Sequence, residues 1–215
     1  MIPPQPDQPP VTYAIGDIHG EVTLLRQLLA LLPLREEDTV VFLGDYLDRG
    51  EDSAATIETL RAFARDHGRT VFLRGNHEDT WLRWWNGRRF IGVPDISGAE
   101  AVLESYGGEL PADLGHWLKR TLIEYEDTHA YYVHAGAEPD KPLWRTPGLL
   151  KLWGARGFLA SAYDWGKPVV FGHWQLPEPL LQPNKIGIDT GAYRTGILTA
   201  VRLPDRMIFQ ARRSR

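Results

Sequence analysis

The chain has 215 residues, 43% of them apolar and 24% charged, and a formal net charge of −4. That length suits one domain with a real core, and no basic surplus exists to bind nucleic acid by bulk electrostatics. Cysteine is absent. Disulfides and thiolate ligands are thereby excluded, and a metal would be held by His, Asp, Asn or Glu, which suits Mn²⁺, Zn²⁺ or iron.

In chain order, residues 1–10 carry five prolines and no apolar run. They read as a flexible proline-rich lead-in, not a signal peptide or membrane anchor. Residues 11–215 are expected to form a single domain. Val11 to Ile15 is a short apolar strand, and Val22 to Leu32 repeats leucine at helical spacing before Pro33. Thr39 to Leu43 is β-branched and apolar and reads as a buried strand. Ser53 to Asp66 follows as a helix, with Ser53 as its expected N-cap. Thr70 to Leu73 is a third strand, and this alternation implies a parallel sheet covered by helices. Helices are expected over His77 to Trp85, Gly98 to Tyr106 and Pro111 to Lys119. Strands follow at Leu122 to Glu126, Ala130 to His134, Val169 to Phe171, Ile186 to Asp189, Gly196 to Leu203 and Met207 to Ala211, with one helix over Leu149 to Ala160. No apolar run approaches the roughly 20 residues of a membrane span, so the expectation is a cytoplasmic protein without membrane or nucleic-acid partners.

Five polar segments each follow an apolar strand. They are Gly16-Asp17-Ile18-His19-Gly20, Gly44-Asp45-Tyr46-Leu47-Asp48-Arg49-Gly50, Arg74-Gly75-Asn76-His77-Glu78, His134-Ala135-Gly136 and Gly172-His173-Trp174. Ligands of open α/β sheets bind at the carboxyl ends of strands, and the flanking glycines allow tight turns and close backbone approach. A pair of metals about 3.5–4 Å apart needs one shared carboxylate and separate N/O ligands. Asp17 and His19 suit one metal, Asp45 suits the bridge, and Asn76, His134 and His173 suit the second, although spacing alone does not assign ligands one by one.

In order and spacing these segments resemble the phosphoprotein phosphatase family of calcineurin-like metallophosphoesterases. Its pattern is GDxHG, GDxxDRG, GNHE, a later HxG and a final GH. The family includes bacterial serine/threonine protein phosphatases and symmetrical diadenosine tetraphosphatases. The resemblance is continuous from about Tyr13 to Glu78, with isolated anchors as far as Gly191. It implies an α/β fold in which two mixed sheets form a β-sandwich flanked by helices (α/β/β/α), with a dinuclear metal site at the strand carboxyl ends. Carried over by position, the metal ligands are Asp17, His19, Asp45, Asn76, His134 and His173. The two divalent ions are expected to be Mn²⁺, with Zn²⁺, Fe or Ni as alternatives, and a hydroxide shared by them attacks phosphorus in line. His77 becomes the general acid, Asp48 its partner, and Arg49 and Asn76 the phosphate grip. The family's second arginine usually lies in a Leu-Trp-x-Arg stretch. Here Leu152-Trp153-Gly154-Ala155-Arg156 places it one residue later, leaving Arg156 as the candidate ahead of Lys151 and Arg145. Trp174 stands where many relatives carry threonine.

Blander readings apply elsewhere. Trp81, Trp84 and Trp85 fall at helical spacing and read as a core-packed face, or else as a platform for an aromatic leaving group. Glu78 reads as a residue that orients its loop, Asp189-Thr190-Gly191 as a turn beside the site, and His67, His116 and His129 as solvated. The leading expectation is a broad-specificity protein serine/threonine phosphatase that also takes small phosphomonoesters. The alternative within the same chemistry is a symmetrical dinucleoside polyphosphate hydrolase, and the distant one is a non-catalytic regulatory module. The chain is a monomer or an oligomer of unspecified order.

Overall fold

In the first strand, alternate side chains of TYAI all have somewhere dry to go. Tyr13 and Ile15 join one apolar cluster and Ala14 joins another. A computed structural model of the chain describes residues 9–213, so most of the proline-rich lead-in and residues 214–215 lie outside the described residues. β1 (Thr12–Ile15), β2 (Thr39–Phe42) and β3 (Thr70–Phe72) pair in parallel, linked by α1 (Val22–Leu31) and α2 (Ser53–Asp66). α3 (Asn76–Arg83), α4 (Ala99–Ser105) and α5 (Ala112–Lys119) complete the helical layer. β4 (Glu124–Glu126), β5 (Tyr131–Val133), α6 (Gly148–Trp153), β6 (Val169–Phe171), β7 (Leu180–Leu181) and β8 (Lys185–Gly187) follow. A short α7 (Ala192–Thr195) then leads to β9 (Ile197–Leu203) and β10 (Met207–Arg212).

Two five-stranded mixed sheets result, ordered β10-β9-β1-β2-β3 and β4-β5-β6-β8-β7. Ala14, Val41, Leu43, Tyr132, Val170, Ile186 and Val201 fill the space between them. Tyr13, Ile15, Val40 and Phe42 face the helices of the first sheet, and Val133, Val169 and Phe171 pack under Phe158 and Trp165 on the far side of the second. Strands covered on both faces are apolar at most positions, with a buried Thr12 or Lys185 side chain hydrogen-bonded, which is why they read as near-continuous runs and not as alternation. The sandwich flanked by helices is therefore observed. Among the described residues, no helix is long and apolar enough to cross a membrane.

Three local expectations need correction. The helix expected over Leu149 to Ala160 stops at Trp153, because Gly154 takes a positive φ of 85° that breaks the helical path. α3 ends at Arg83, so Trp84 and Trp85 lie beyond it, and Trp85 pairs with Phe90 in an isolated bridge. Asp52, not Ser53, caps α2 by accepting from Ala55 N–H at 2.8 Å. Ser53 is the first helical residue, and its hydroxyl accepts instead from Asp48 N–H at 3.2 Å. The two-residue β7 carries no signal of its own; its pairing with β8 creates it.

Candidate metal centre

Six strands run parallel, three in each sheet, and each delivers a polar side chain just past its carboxyl end. β1 leads to Asp17 and His19, β2 to Asp45 and Asp48, and β3 to Asn76 and His77. β5 leads to His134, β6 to His173 and β8 to Asp189. The turns are forced. His19, Asp45, Asp48, Arg49 and His173 all take positive φ without being glycine, a strain of about 1–3 kcal/mol each. Hydrogen bonds hold them there. Ile18 and His19 N–H both donate to Asp45 C=O, at 3.0 and 2.8 Å. Glu78 bears out its reading as a loop organiser. Its buried carboxylate accepts from the N–H groups of Asp45 (2.8 Å), Tyr46 (2.8 Å) and Gly75 (2.9 Å), and more weakly from Leu47 (3.4 Å). Burial, then the charge of Asp45, push the Glu78 pKa up to about 7, and the backbone donors oppose that rise. Two glycines are needed for contact distance. A β-carbon on Gly75 would collide with Asp45 Oδ1, and one on Gly172 with Asp17 Oδ1.

Asp45 is the hub. Its Oδ2 lies 3.5 Å from His19 Nε2 and 3.9 Å from His77 Nε2, and its Oδ1 lies 3.5 Å from His134 Nε2. Two groups of candidate metal donors share it: His19, Asp45 and His77, and Asp45, His134 and His173, the donor atoms of each lying within 4.8 Å of one another. Asn76 Oδ1 lies 2.9 Å from both His134 Nε2 and His173 Nδ1. Asp17 reaches the cluster by accepting from His173 N–H at 3.1 and 3.0 Å.

The donor set fits cations on physical grounds. His19 Nδ1–H donates to Leu47 C=O and His134 Nδ1–H to Leu43 C=O, each at 2.9 Å. Each bond fixes the tautomer and leaves a Nε2 lone pair aimed at an oxygen of Asp45. Burial depresses the pKa of His134, of His19 to about 3, and, with His134 next in weight, of His173 to about 4. All three rings are thus neutral at pH 7, as ligands must be. Burial, then Asp189 and Asp45, drive Asp17 well above the carboxylate range, while Asp45 is held below it, against its burial, by the attraction it would feel for a proton on His134, His77 or His19. Lone pairs facing lone pairs, with buried carboxylates crowded beside them, call for positive charge at the centre.

Beside the hub lies a second constellation. His77 Nδ1 is 2.6 Å from Asp48 Oδ2, and Arg49 Nη2–H donates to His77 Nε2 at 3.2 Å. Burial alone would depress His77, but Asp45 and then Asp48 outweigh it and raise its pKa. The guanidinium of Arg49 also lies over the ring of Tyr193, 4.9 Å from its centroid, and that ring meets His19 edge-on at 5.4 Å. Sequence reasoning missed Tyr193; only the α7 turn brings it to the site. Asp189, read as a turn residue, accepts from Gly191 N–H at 2.8 Å, and its pKa is pushed up to about 6, by burial first. Trp174 packs over Gly154, meets His173 edge-on at 5.3 Å and donates its indole N–H to Ala135 C=O at 2.8 Å.

The remaining arginine and lysine candidates lie on and around α6, whose Lys151 C=O accepts from Ala135 N–H at 2.7 Å, but their side chains take no part in the bonds just described. Arg156 is exposed beyond α6. Lys151 is buried in an ion pair with Glu124 at 2.5 Å, and Arg145 stacks on the exposed Trp144. His67 is not simply solvated, because its Nε2–H donates to Asp38 C=O at 2.8 Å.

Residues 11–177 match the family model of calcineurin-like phosphoesterases. The chain belongs to that family. It is accordingly a hydrolase of phosphoester bonds, in a family that uses divalent metals. Among curated relatives it is 28% identical to the asymmetrical bis(5′-nucleosyl)-tetraphosphatase PrpE of Bacillus thuringiensis (strain Al Hakam), over 89% of each chain. It is 25% identical to the symmetrical bis(5′-nucleosyl)-tetraphosphatase of Ralstonia nicotianae, over 89% of this chain and 88% of that one. A solved structure provisionally assigned as a diadenosine tetraphosphatase superposes with a TM-score of 0.76 at 21% identity, covering 97% and 96% of the two chains. A Saccharomyces cerevisiae protein serine/threonine phosphatase superposes at 0.68 and 12% identity, covering 96% and 81%. The calcineurin-like fold is shared by both; at such identities the likeness speaks to fold alone.

Proposed function

We propose that this phosphoesterase hydrolyses the polyphosphate chain of dinucleoside tetraphosphates. The observation that carries the reading is one buried carboxylate, Asp45, shared by two histidine groups, with the His77–Asp48 pair and Arg49 directly beside it. The substrate class rests on relatives aligned along nearly their whole length. It reverses the order of the two expectations, since protein serine/threonine phosphatases are supported here only as fold neighbours.

Two divalent ions, with Mn²⁺ as first choice, would supply Lewis acidity and an activated water. Asp17, His19, Asp45, Asn76, His134 and His173 would hold them. Arg49 leaves His77 Nε2 and turns its fork of donors to the incoming phosphate. That movement frees Nε2 to carry the proton given to the departing oxygen, while Asp48 keeps Nδ1–H in place. Asn76 adds a polar contact to the phosphate. Arg156 is assigned to the outer phosphates, its segment drawn toward His173 by Trp174 lying over Gly154.

The test is a comparison of kcat/KM on diadenosine tetraphosphate, a phosphoserine peptide and a phosphotyrosine peptide, with nucleotide products separated by chromatography. The dinucleotide should lead by at least about 10²-fold, the lower end of the discrimination that a substrate pocket achieves. Unequal nucleotide products mean cleavage at an outer anhydride, and two equal diphosphates mean cleavage at the centre. A phosphopeptide leading instead overturns the reading.

A further inference from the structure

Trp81 contributes to the site in a way that neither the strand-end motifs nor the family match assigns. We infer that its indole N–H is the third member of the His77–Asp48 pair, fixing the Asp48 carboxylate so that the carboxylate in turn fixes His77. The inference rests on the reading of His77 as proton donor.

The local geometry follows from the helix. His77 and Trp81 stand four apart in α3 and so share a face. Long side chains on a helix lean toward its N-terminus, so the indole of Trp81 reaches back toward the turn that carries His77. There it meets Asp48, which arrives from the loop after β2. Trp81 Nε1 lies 3.1 Å from Asp48 Oδ1 and 3.3 Å from Oδ2, and Oδ2 is also the atom 2.6 Å from His77 Nδ1. All three are buried: Trp81 is 0% exposed, Asp48 1% and His77 4%.

A carboxylate on a single sp³–sp² bond has a broad torsional preference and settles its plane by its hydrogen bonds. His77 alone would hold one oxygen and leave the plane free to turn. The indole N–H, lying across both oxygens, removes that freedom. A buried indole N–H needs an acceptor. Here the acceptor is the group that orients the histidine, while the ring itself meets Phe90 edge-on at 5.8 Å within the apolar core. Trp81 is thus a positioning residue acting through Asp48, and it does not stack a nucleobase.

The experiment separates the N–H from the ring. Replacing Trp81 with 3-benzothienylalanine keeps the bicycle and deletes the donor; Trp81→Phe removes both donor and bulk. The chain is loaded with Zn²⁺ and the ring proton on His77 Nδ1 is followed by NMR, assigned through its loss in His77→Asn. Steady-state kcat and KM on diadenosine tetraphosphate are measured alongside. The benzothienyl variant should exchange that proton with solvent about 10-fold faster and lose about 10-fold in kcat at unchanged KM, the scale of an outer hydrogen-bond partner. Wild-type exchange and kcat in that variant would make Trp81 core packing only and overturn the inference. A wild-type chain with no protected Nδ1 proton would overturn it too. A His77→Asn variant with undiminished turnover would instead defeat the proton-donor reading, and the exchange rates would still decide what Trp81 does.

Discussion

The loops that leave the first sheet are tied to one another, whereas those that leave the second are held largely from across the sandwich. After β1, β2 and β3, Ile18 and His19 donate to Asp45, Gly20 donates to Tyr46, and Glu78 collects the N–H groups around Asp45 and Gly75. This half carries four of the five strained site residues: His19, Asp45, Asp48 and Arg49. After β5 and β6, His134 is anchored by Leu43 C=O, His173 by the Asp17 carboxylate, and both rings meet Asn76. Within the second sheet the tie between these loops is short: Gly172 N–H to His134 C=O, and Trp174 to Ala135. One half of the centre is therefore shaped by its own loops. The other is placed by how the sheets pack over Ala14, Val41, Leu43, Tyr132 and Val170.

The largest break comes from the residue common to both halves. Asp45→Asn keeps the shape but removes the shared charge, so activity should fall by more than about 10³-fold, beyond the 10²–10³ lost with a single stabilising donor. Calorimetric titration with Mn²⁺ should show weakened binding for both ions. Near-wild-type turnover would remove Asp45 from the centre of the scheme.

A smaller and one-sided effect is expected from Trp174→Phe, which deletes the N–H bonded to Ala135 C=O and leaves an aromatic ring. One of the two ions should bind about 10–100-fold more weakly, the usual effect of an outer partner. The other should keep its affinity, because the loops of the first sheet hold themselves. If both affinities drop equally, the two halves are not independent.

The smallest effect tests the scaffold beneath the first half. The Asp38 carboxylate accepts from Val11 N–H, Arg35 N–H and the Arg35 guanidinium, and these bonds, against its burial, hold its pKa below the usual range. A carboxyl group with a depressed folded-state pKa adds stability above its unfolded value, and that stability is lost as pH falls through the folded value. Asp38→Asn should therefore cost about 1–3 kcal/mol in urea unfolding at pH 7. The gap should narrow as pH drops from about 4, near the unfolded pKa of an aspartate. A gap that widens in acid would contradict the assignment.

Much of the site was legible because its ligands sit in short motifs after apolar strands. A strand covered on both faces announces itself as TVVF, and the next few residues then mark the sheet edge. Glu78 was legible as an organiser, being three residues past Gly75. Tyr193 was not, since nothing local to Ala192–Thr195 records that this turn lies against His19 and Arg49. Trp81 was visible only as a helix position. The indole's partner comes from another strand, so its spacing to His77 suggested packing and did not reveal the bond to Asp48. The helix expected past Trp153 failed because Gly154, with Trp174 packed over it, takes a backbone angle that helical spacing cannot register.

By itself, then, the order of residues determined the parallel strands, the donor types and the phosphoesterase family, because these depend on local burial and on chemistry carried within a few residues of a strand end. Only the tertiary structure decided which lone pairs face one another across the sandwich, that Arg49 rests between His77 and Tyr193, and that Trp81 reaches Asp48. Each of those joins residues 28 or more apart in the chain, brought together either by the pairing of β2 with β3 or by the packing of one sheet on the other.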